Sequence, residues 1–332
     1  MPDITRRHVV AALGAGAMGS VLAGLPGQAR AQANWPDHPV RIIVPYAPGA
    51  GTDFIVRAVA ERLSRQTGQQ FVVEHRGGAA GALGTESVIR SLPDGYTLLM
   101  TPQAPVQLLP HLRKLPYNPM TDLVTVGRMG ESISGFAAHP SVGAKNLVEF
   151  IALAKKNPGK FTYATSGVGS VNHLRAEALK LMAGIDILHV PYKGVGEALP
   201  DLLAGNVSCM FDSNVFPYVK AGKLVLLGVL ADERYSEFPD VGTMKEQGLP
   251  DYDIPIWYGA YAPAGVPQPI LTKLHAELAK MHSDPEFQAK QFAGGIRIYQ
   301  DAMTLPELKA WVAAQSVRFA DLMQRAHITL DQ

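Results

Sequence analysis

A glycine-rich loop near the start of the chain has the composition of an anion-binding turn. It follows the short apolar stretch Val40 to Val44, and the helical pattern after it covers residues 53–66. At such a junction the first backbone N–H groups of the helix are unpaired, and the positive end of the helix dipole favours an anion. Glycine lets a ligand approach the backbone closely because it lacks Cβ. The loop therefore predicts an anion site, with a plain strand-to-helix turn as the alternative.

The order of residues in this loop argues against a nucleotide phosphate. Residues 49–53 read Gly-Ala-Gly-Thr-Asp, which matches neither Gly-x-Gly-x-x-Gly nor the P-loop pattern, and the P-loop lysine is absent. A carboxylate is the better candidate for the anion.

A second loop of the same kind lies more than 100 residues further on. Residues 165–170 read Thr-Ser-Gly-Val-Gly-Ser, follow an apolar stretch at 161–164 and open another helix. The apolar residues of that helix share one face at helical spacing: Val171, Leu174, Ala178 and Leu181.

The elements that position both loops alternate between short apolar runs and helical patterns. Strands are predicted at 40–44, 71–74, 96–100, 161–164, 187–190 and 207–211, and helices at 53–66, 82–91, 147–156 and 196–204. This alternation is typical of βαβ units in an α/β fold with largely parallel sheets. Ligands bind beyond the carboxyl ends of such strands, so two facing loops would form one cleft between two domains.

The first 33 residues have the pattern of an export signal that is removed from the mature protein. Arg6 and Arg7 precede an uncharged stretch, and Ala31 to Ala33 supplies a small-x-small cleavage pattern. The arginine pair also resembles a twin-arginine signal, with an ordinary secretory signal as the alternative. Glycines dilute the apolar stretch, which argues against a transmembrane anchor. The sequence therefore predicts a periplasmic protein without a membrane anchor.

Composition excludes several functional classes. Removing Asp3, Arg6, Arg7 and Arg30 from the 30 basic and 29 acidic residues leaves 27 basic and 28 acidic ones, a net charge of −1. Nothing in this balance indicates nucleic acid as a partner. The chain has one cysteine, so no intrachain disulfide forms and no cysteine near the signal carries a lipid.

Six motifs, in order along the chain, resemble the Bug-type extracytoplasmic solute receptors of tripartite tricarboxylate transporters. The motifs lie at residues 44–53, 73–79, 93–99, 157–160, 189–194 and 262–265. The resemblance covers essentially the whole mature chain. It implies the two-domain fold of class II periplasmic binding proteins, with a small carboxylate held between the domains.

The resemblance also implies the domain boundaries. Residues 1–33 would be the signal peptide, residues 34–137 together with 258–332 would form the first domain, and residues 138–257 would form the second. The C-terminal helices, near 268–292 and 305–325, would then pack on the first domain.

The same resemblance implies which residues contact the ligand. The first loop would supply Tyr46, Gly49, Ala50, Gly51, Thr52 and Asp53. The second loop and the helix after it would supply Ser166, Gly167, Val168, Gly169, Ser170, Asn172 and His173. Gln103 and Asp212 would face the cleft from strand ends. Family members commonly have glycine at position 50, and the segments 101–105 and 211–217 also depart from the family pattern, which leaves the identity of the carboxylate open.

Several of these residues have simpler structural interpretations. Asp53 and Ser170 are ordinary helix-capping residues, and His173 is also explained as a structural histidine. Asp212 suits an anion pocket poorly by Coulomb's law unless it accepts a hydrogen bond from a ligand hydroxyl or amine, or orients a water. Arg76 has the chemistry of a carboxylate fork, with bracing of its loop as the alternative.

The resulting hypothesis is a monomeric, non-enzymatic receptor that binds a dicarboxylate, an aromatic acid or an amino acid and delivers it to membrane permease subunits. No cofactor and no metal are expected. One alternative is a receptor that signals to a membrane sensor. A remote alternative is a serine-type hydrolase that uses Ser170 and His173, although the sequence lacks a Gly-x-Ser-x-Gly elbow and metal-ligand spacing.

Overall fold

The computed structural model describes residues 34–46, 48, 51–231, 233–252 and 254–325. The predicted export signal, Gly49 and Ala50 lie outside the described residues, so the predictions made for them are not addressed by the structure.

Eleven strands and eleven α-helices are assigned in the described part of the chain. The strands are β1 Val40–Val44, β2 Phe71–His75, β3 Thr97–Pro102, β4 Leu123–Ser132, β5 Ser134–Ala138, β6 Thr162–Thr165, β7 Leu188–Pro191, β8 Cys209–Asp212, β9 Val225–Leu230, β10 Ile256–Pro263 and β11 Ile296–Arg297. The helices are α1 Gly51–Thr67, α2 Ala82–Ile89, α3 Leu109–Leu112, α4 Pro119–Asp122, α5 Leu147–Lys156, α6 Val171–Ala183, α7 Val195–Ala204, α8 Phe216–Lys220, α9 Gln268–Ala279, α10 Pro285–Ala293 and α11 Leu305–Arg325.

The strands form two mixed sheets with related topology. The first sheet has the order β11-β4-β10-β3-β1-β2 and the second has the order β7-β6-β8-β5-β9. In the first sheet β1 pairs in parallel with β2 and β3, and in the second β6 pairs in parallel with β7 and β8. In the second sheet β5 runs antiparallel to both of its neighbours, and in the first sheet β10 and β4 do so. The two glycine loops therefore leave equivalent strands, β1 and β6.

The chain passes between the sheets twice. It leaves the first sheet at Ser132, the last residue of β4, and enters the second at Ser134, the first residue of β5. It returns through the segment between Leu230 and Ile256 to form β10. We call this segment, residues 231–255, the return crossover. The domain boundaries at 137 and 258 remain a prediction from the sequence.

Each sheet has its own hydrophobic core. Around the first sheet, Ile55, Val59 and Leu63 recur at helical spacing on α1 and are buried against strand residues such as Ile42. The second core contains a stacked pair, Phe136 and Phe211, whose ring centroids are 4.2 Å apart. Two independent cores are what a chain of two lobes requires.

The last helix, α11, contacts both cores. Val312, in its first half, packs in a cluster with Trp257 and Tyr261 of the first sheet. Phe319 and Met323, near its end, belong to the core cluster of the second sheet. The prediction that this helix packs on the first domain is therefore confirmed for its first half and incomplete for its second half.

Most predicted elements are present with small shifts at their ends, and two differ for clear physical reasons. The helix predicted at 268–292 is divided into α9 and α10, because Asp284 caps a new helix whose first residue is Pro285. On α6, Leu181 is 45% exposed, and Leu179 occupies the core in its place. None of the helices in the described ranges is long and apolar enough to cross a membrane.

Candidate ligand-binding site

The first glycine loop leads to a helix end that faces the second sheet. Helix α1 begins at Gly51. A Cβ added to Gly51 would lie 3.1 Å from the hydroxyl oxygen of Tyr258 and 3.8 Å from Oγ of Ser213. Tyr258 belongs to β10 of the first sheet, whereas Ser213 directly follows β8 of the second sheet. The start of α1 therefore lies where the two sheets approach each other.

Two polar residues of the first loop are held within their own lobe. The hydroxyl of Tyr46 donates to the carbonyl oxygen of Ala80 at 3.4 Å, and burial raises the pKa of this phenol. The carboxylate of Asp53 lies 2.8 Å from Nε of Arg57 and 3.0 Å from Nε2 of His75. Asp53 thus connects the first turn of α1 to the end of β2, and it is 9% exposed. Thr52 beside it is also buried.

The second glycine loop has a backbone conformation that depends on glycine. Gly167 and Gly169 have φ angles of 112° and 78°, in the region that favours glycine. The loop is held by Thr165, whose Oγ1 accepts the N–H of Gly167 at 3.1 Å. Ser166 and Val168 lie in this loop between the strand β6 and the helix α6.

Ser170 and His173 form a helix cap. Oγ of Ser170 accepts the backbone N–H of His173 at 3.2 Å, and Nδ1 of His173 accepts the N–H of Gly169 at 3.3 Å. Both side chains therefore serve backbone donors at the start of α6, which is a structural arrangement. The ring of His173 stacks on His189, with centroids 4.2 Å apart, and His189 stacks on Tyr163 at 4.9 Å. Burial lowers the pKa of both histidines, to about 4 for His189, so both rings are neutral near pH 7.

Asp212 and Asn172 form a buried polar pair that joins the end of β8 to the first turn of α6. Nδ2 of Asn172 donates to Oδ2 of Asp212 at 3.1 Å, while the backbone N–H and Nδ2 of Asn214 donate to Oδ1 at 2.9 and 2.7 Å. Burial raises the pKa of Asp212. Oδ1 of Asn172 is buried and has no hydrogen-bond partner in the described part of the chain. An unpaired acceptor in this position suits a ligand hydroxyl, amine or water.

Gln103 is buried at the return crossover. Its Oε1 accepts the backbone N–H of Trp257 at 3.0 Å, and its Nε2 donates to the carbonyl oxygen of Pro255. Both ends of the amide are therefore used, one to hold the end of the return crossover and one to hold β10, and a ligand contact by Gln103 remains a prediction. Arg76 is exposed at the surface of the first lobe, and its Nη2 lies 3.8 Å from Oε2 of Glu74.

The sequence analysis did not single out three further residues near this interface: Ser213, Tyr258 and Arg175. Ser213 directly follows Asp212, which the sequence analysis did single out. Arg175 follows Asn172 by three residues, the spacing that places two side chains on one helix face. That spacing was readable from the sequence, but the complete burial of the arginine was not.

A metal centre is not formed by the residues that the structure describes. No group of three or more histidine, cysteine, aspartate or glutamate side chains with the geometry to hold an ion is found among them. The polar groups of the interface include amides, hydroxyls and backbone N–H groups, which bind organic anions and neutral polar groups, together with the carboxylate of Asp212 and the guanidinium of Arg175.

Comparison with known proteins identifies the family. Residues 55–327 match the family described as "Tripartite tricarboxylate transporter family receptor". The chain belongs to this family. The family and the fold are those of solute-binding receptors, which are not enzymes, and the resemblance predicted from the motifs is confirmed.

Solved structures of other receptors share the fold along most of their length. The periplasmic binding protein BugD is 32% identical, with a TM-score of 0.80 over 89% of this chain and 99% of that chain. A Rhodopseudomonas palustris protein with adipate is 28% identical, with a TM-score of 0.82 over 89% and 99%. MatC from the same organism, with bound malate, is 29% identical, with a TM-score of 0.78 over 87% and 99%. These similarities confirm the predicted two-domain periplasmic binding fold.

Proposed function

We propose that this protein is a periplasmic receptor that captures a small carboxylate between its two lobes and delivers it to the permease subunits of a tripartite tricarboxylate transporter. The observation that carries the proposal is the position of Gly51. This residue places the N-terminal turn of α1 opposite Ser213 of the second lobe, so that a ligand bound at the helix end contacts both lobes. The adipate and malate held by two related receptors support a carboxylate as the ligand.

The chemistry of the interface agrees with this proposal. Backbone N–H groups at the start of α1 provide positive potential without a charged side chain. The start of α6 approaches the same interface through Asn172, which is bonded to Asp212 at the end of β8. One helix end from each lobe therefore lies at the cleft. Binding to both ends favours a closed arrangement of the lobes, because contacts with the second lobe form only when the cleft closes.

Export and delivery are further parts of the proposal. The signal-like residues 1–33, the family, and the periplasmic location of related receptors support a protein that works outside the inner membrane. The mature chain is proposed to act as a monomer, and its closed form is proposed to dock on the permease.

A thermal-shift screen tests carboxylate binding. Mature protein is mixed with a panel of mono- and dicarboxylates and with the neutral amide of each. A ligand that binds only the folded state, present at about 100 times its Kd, adds roughly 2.7 kcal/mol to the free energy of unfolding. We expect at least one acid to raise the melting temperature while its amide has little effect. Equal stabilisation by an acid and its amide, or no response to any acid, would contradict the proposal.

A further inference from the structure

Arg175 is a fully buried cation whose terminal nitrogens have no hydrogen-bond partner in the described part of the chain. It lies on α6, and its exposed fraction is 0%. Its Nε donates to the carbonyl oxygen of Ile254 in the return crossover at 2.9 Å. Its Nη1 and Nη2 have no hydrogen-bond partner among the residues that the structure describes. Of the three guanidinium nitrogens, Nε therefore donates a hydrogen bond, whereas Nη1 and Nη2 have no acceptor in the described part of the chain.

The guanidinium lies where the two sheets and the return crossover meet. The groups that act on it electrostatically are Asp212 at the end of β8, Tyr258 on β10, Glu131 on β4, and Tyr252 in the crossover. Burial lowers the pKa of Arg175 to about 10, so the side chain still carries its charge at neutral pH.

The neighbouring acids are already bonded to other groups. Both carboxylate oxygens of Asp212 accept hydrogen bonds from Asn172 or Asn214. The carboxylate of Glu131 lies 3.6 Å from Nη1 of Arg297 and accepts a hydrogen bond from Tyr299 at 3.3 Å. Arg175 is therefore a buried cation near acids that do not hydrogen-bond to its free nitrogens.

Asn172 and Tyr258 connect this cation to the ligand cleft. Asn172 lies three residues before Arg175 on the same helix face and also has a buried, unpaired atom, Oδ1. Tyr258 interacts electrostatically with Arg175. Its hydroxyl oxygen would lie 3.1 Å from a Cβ added to Gly51. Tyr258 therefore links the start of α1 to the surroundings of Arg175, and Asn172 belongs to the same helix as this cation.

We propose that Arg175 binds the second carboxylate of a dicarboxylate ligand whose first carboxylate lies at the N-terminal turn of α1. This inference rests on the function proposed above and narrows it to one substrate class. A carboxylate accepts two parallel hydrogen bonds from Nη1 and Nη2, which are the two nitrogens without partners. The bound ligand would supply hydrogen-bond acceptors for these two buried nitrogens.

Calorimetry with matched ligands tests the proposal. The dissociation constants of glutarate and adipate are compared with those of pentanoate and hexanoate, which have the same chain lengths and one carboxylate fewer. Each is measured with the wild-type mature protein, with Arg175→Met and with Lys180→Met. Lys180 is the matched control, since it lies on the same helix and already has a partner. Its Nζ lies 2.9 Å from Oε1 of Glu177. Arg175→Lys is included because it keeps the charge and loses the planar fork.

The expected result is a preference for the dicarboxylate that depends on Arg175. Leaving a buried charge unpaired costs at least about 30-fold in affinity, so the wild-type protein should prefer the matched dicarboxylate by about that factor or more. Arg175→Met should abolish the preference while keeping the affinity for the monocarboxylate. Lys180→Met should keep the preference, and Arg175→Lys should show an intermediate value.

Two results would overturn the inference and leave the carboxylate receptor intact. One is a wild-type protein that binds the mono- and dicarboxylate equally well, a comparison that requires no variant to fold. The other is an equal loss of affinity for both ligands in Arg175→Met, which is what a purely structural role in holding Ile254 predicts. If the wild-type protein binds no acid of any kind, the proposed function itself fails.

Discussion

Adding a methyl group at Gly51 should weaken ligand binding without unfolding the protein. The new Cβ would lie 3.1 Å from the Tyr258 hydroxyl, a contact that requires its neighbour to move by a few tenths of an ångström, and 3.8 Å from Oγ of Ser213 in the other lobe. Overpacking of this kind costs about 1 to 3 kcal/mol. In the free protein this cost is at most partly offset by the helix propensity of alanine, which exceeds that of glycine by about 1 kcal/mol inside a helix.

The affinity for the ligand has no such compensation, because the methyl group occupies the space between the helix end and the second lobe. A penalty of about 1 to 2 kcal/mol corresponds to roughly a 5- to 30-fold rise in Kd for Gly51→Ala. Gly51→Val, with two more methyl groups, should lose roughly 10- to 100-fold. Calorimetry gives the Kd, and thermal denaturation without ligand gives the stability.

Gly196→Ala is the matched control for this prediction. Gly196 also lies in the first turn of a helix, α7, and a Cβ there would meet nothing within 4 Å. It should leave the Kd unchanged and should not lower the melting temperature. An unchanged Kd in both Gly51 variants, with both folded, would refute the argument that the start of α1 binds the ligand.

Three further predictions concern the second loop, pH and export. Gly169→Ala introduces a side chain at a φ of 78°, where the strain is about 1 kcal/mol or more, and should raise the Kd by roughly 5-fold or more. The control Gly184→Ala, at a φ of 61° at the other end of α6, should leave the Kd unchanged. Equal Kd values for the two variants in calorimetry would contradict this prediction. Because burial lowers the pKa of His189 from 6.5 to about 4, the unfolded chain binds a proton below pH 6.5 that the folded chain does not. The free energy of unfolding should therefore fall as the pH is lowered from about 6.5 to about 4, and urea titrations of His189→Gln should show a smaller fall than those of the wild type. Mass spectrometry of exported protein should find Asn34 as the first residue, and an intact first residue in the membrane fraction would overturn the export argument.

The overall architecture was predictable because its signals are local. The strand Val40–Val44 and the helix Leu147–Lys156 were predicted with the bounds that the structure shows. Both are marked by hydrophobic periodicity and by turn or capping residues, such as Asn146 before the helix, whose side chain accepts the N–H of Glu149. The family motifs then extended these local signals to the two-lobe arrangement.

The details of the cleft depend on contacts between residues that are far apart in sequence. Gln103 looked like a ligand contact, yet the two ends of its amide bind Pro255 in the return crossover and Trp257 on β10, more than 150 residues later. Asp212 looked unsuited to an anion site, and the structure shows its charge already engaged by Asn172 and Asn214. Arg175 was not singled out from the sequence. Its burial follows from the packing of α6 against the crossover, which no local pattern encodes.

A crystal structure of the mature protein with a carboxylate found in the thermal-shift screen shows directly whether the ligand lies between the two lobes. One carboxylate should accept hydrogen bonds from backbone N–H groups at the start of α1, and the same ligand molecule should contact the second lobe at the start of α6. A ligand bound to one lobe only, or bound outside the interface between the two sheets, would contradict this expectation.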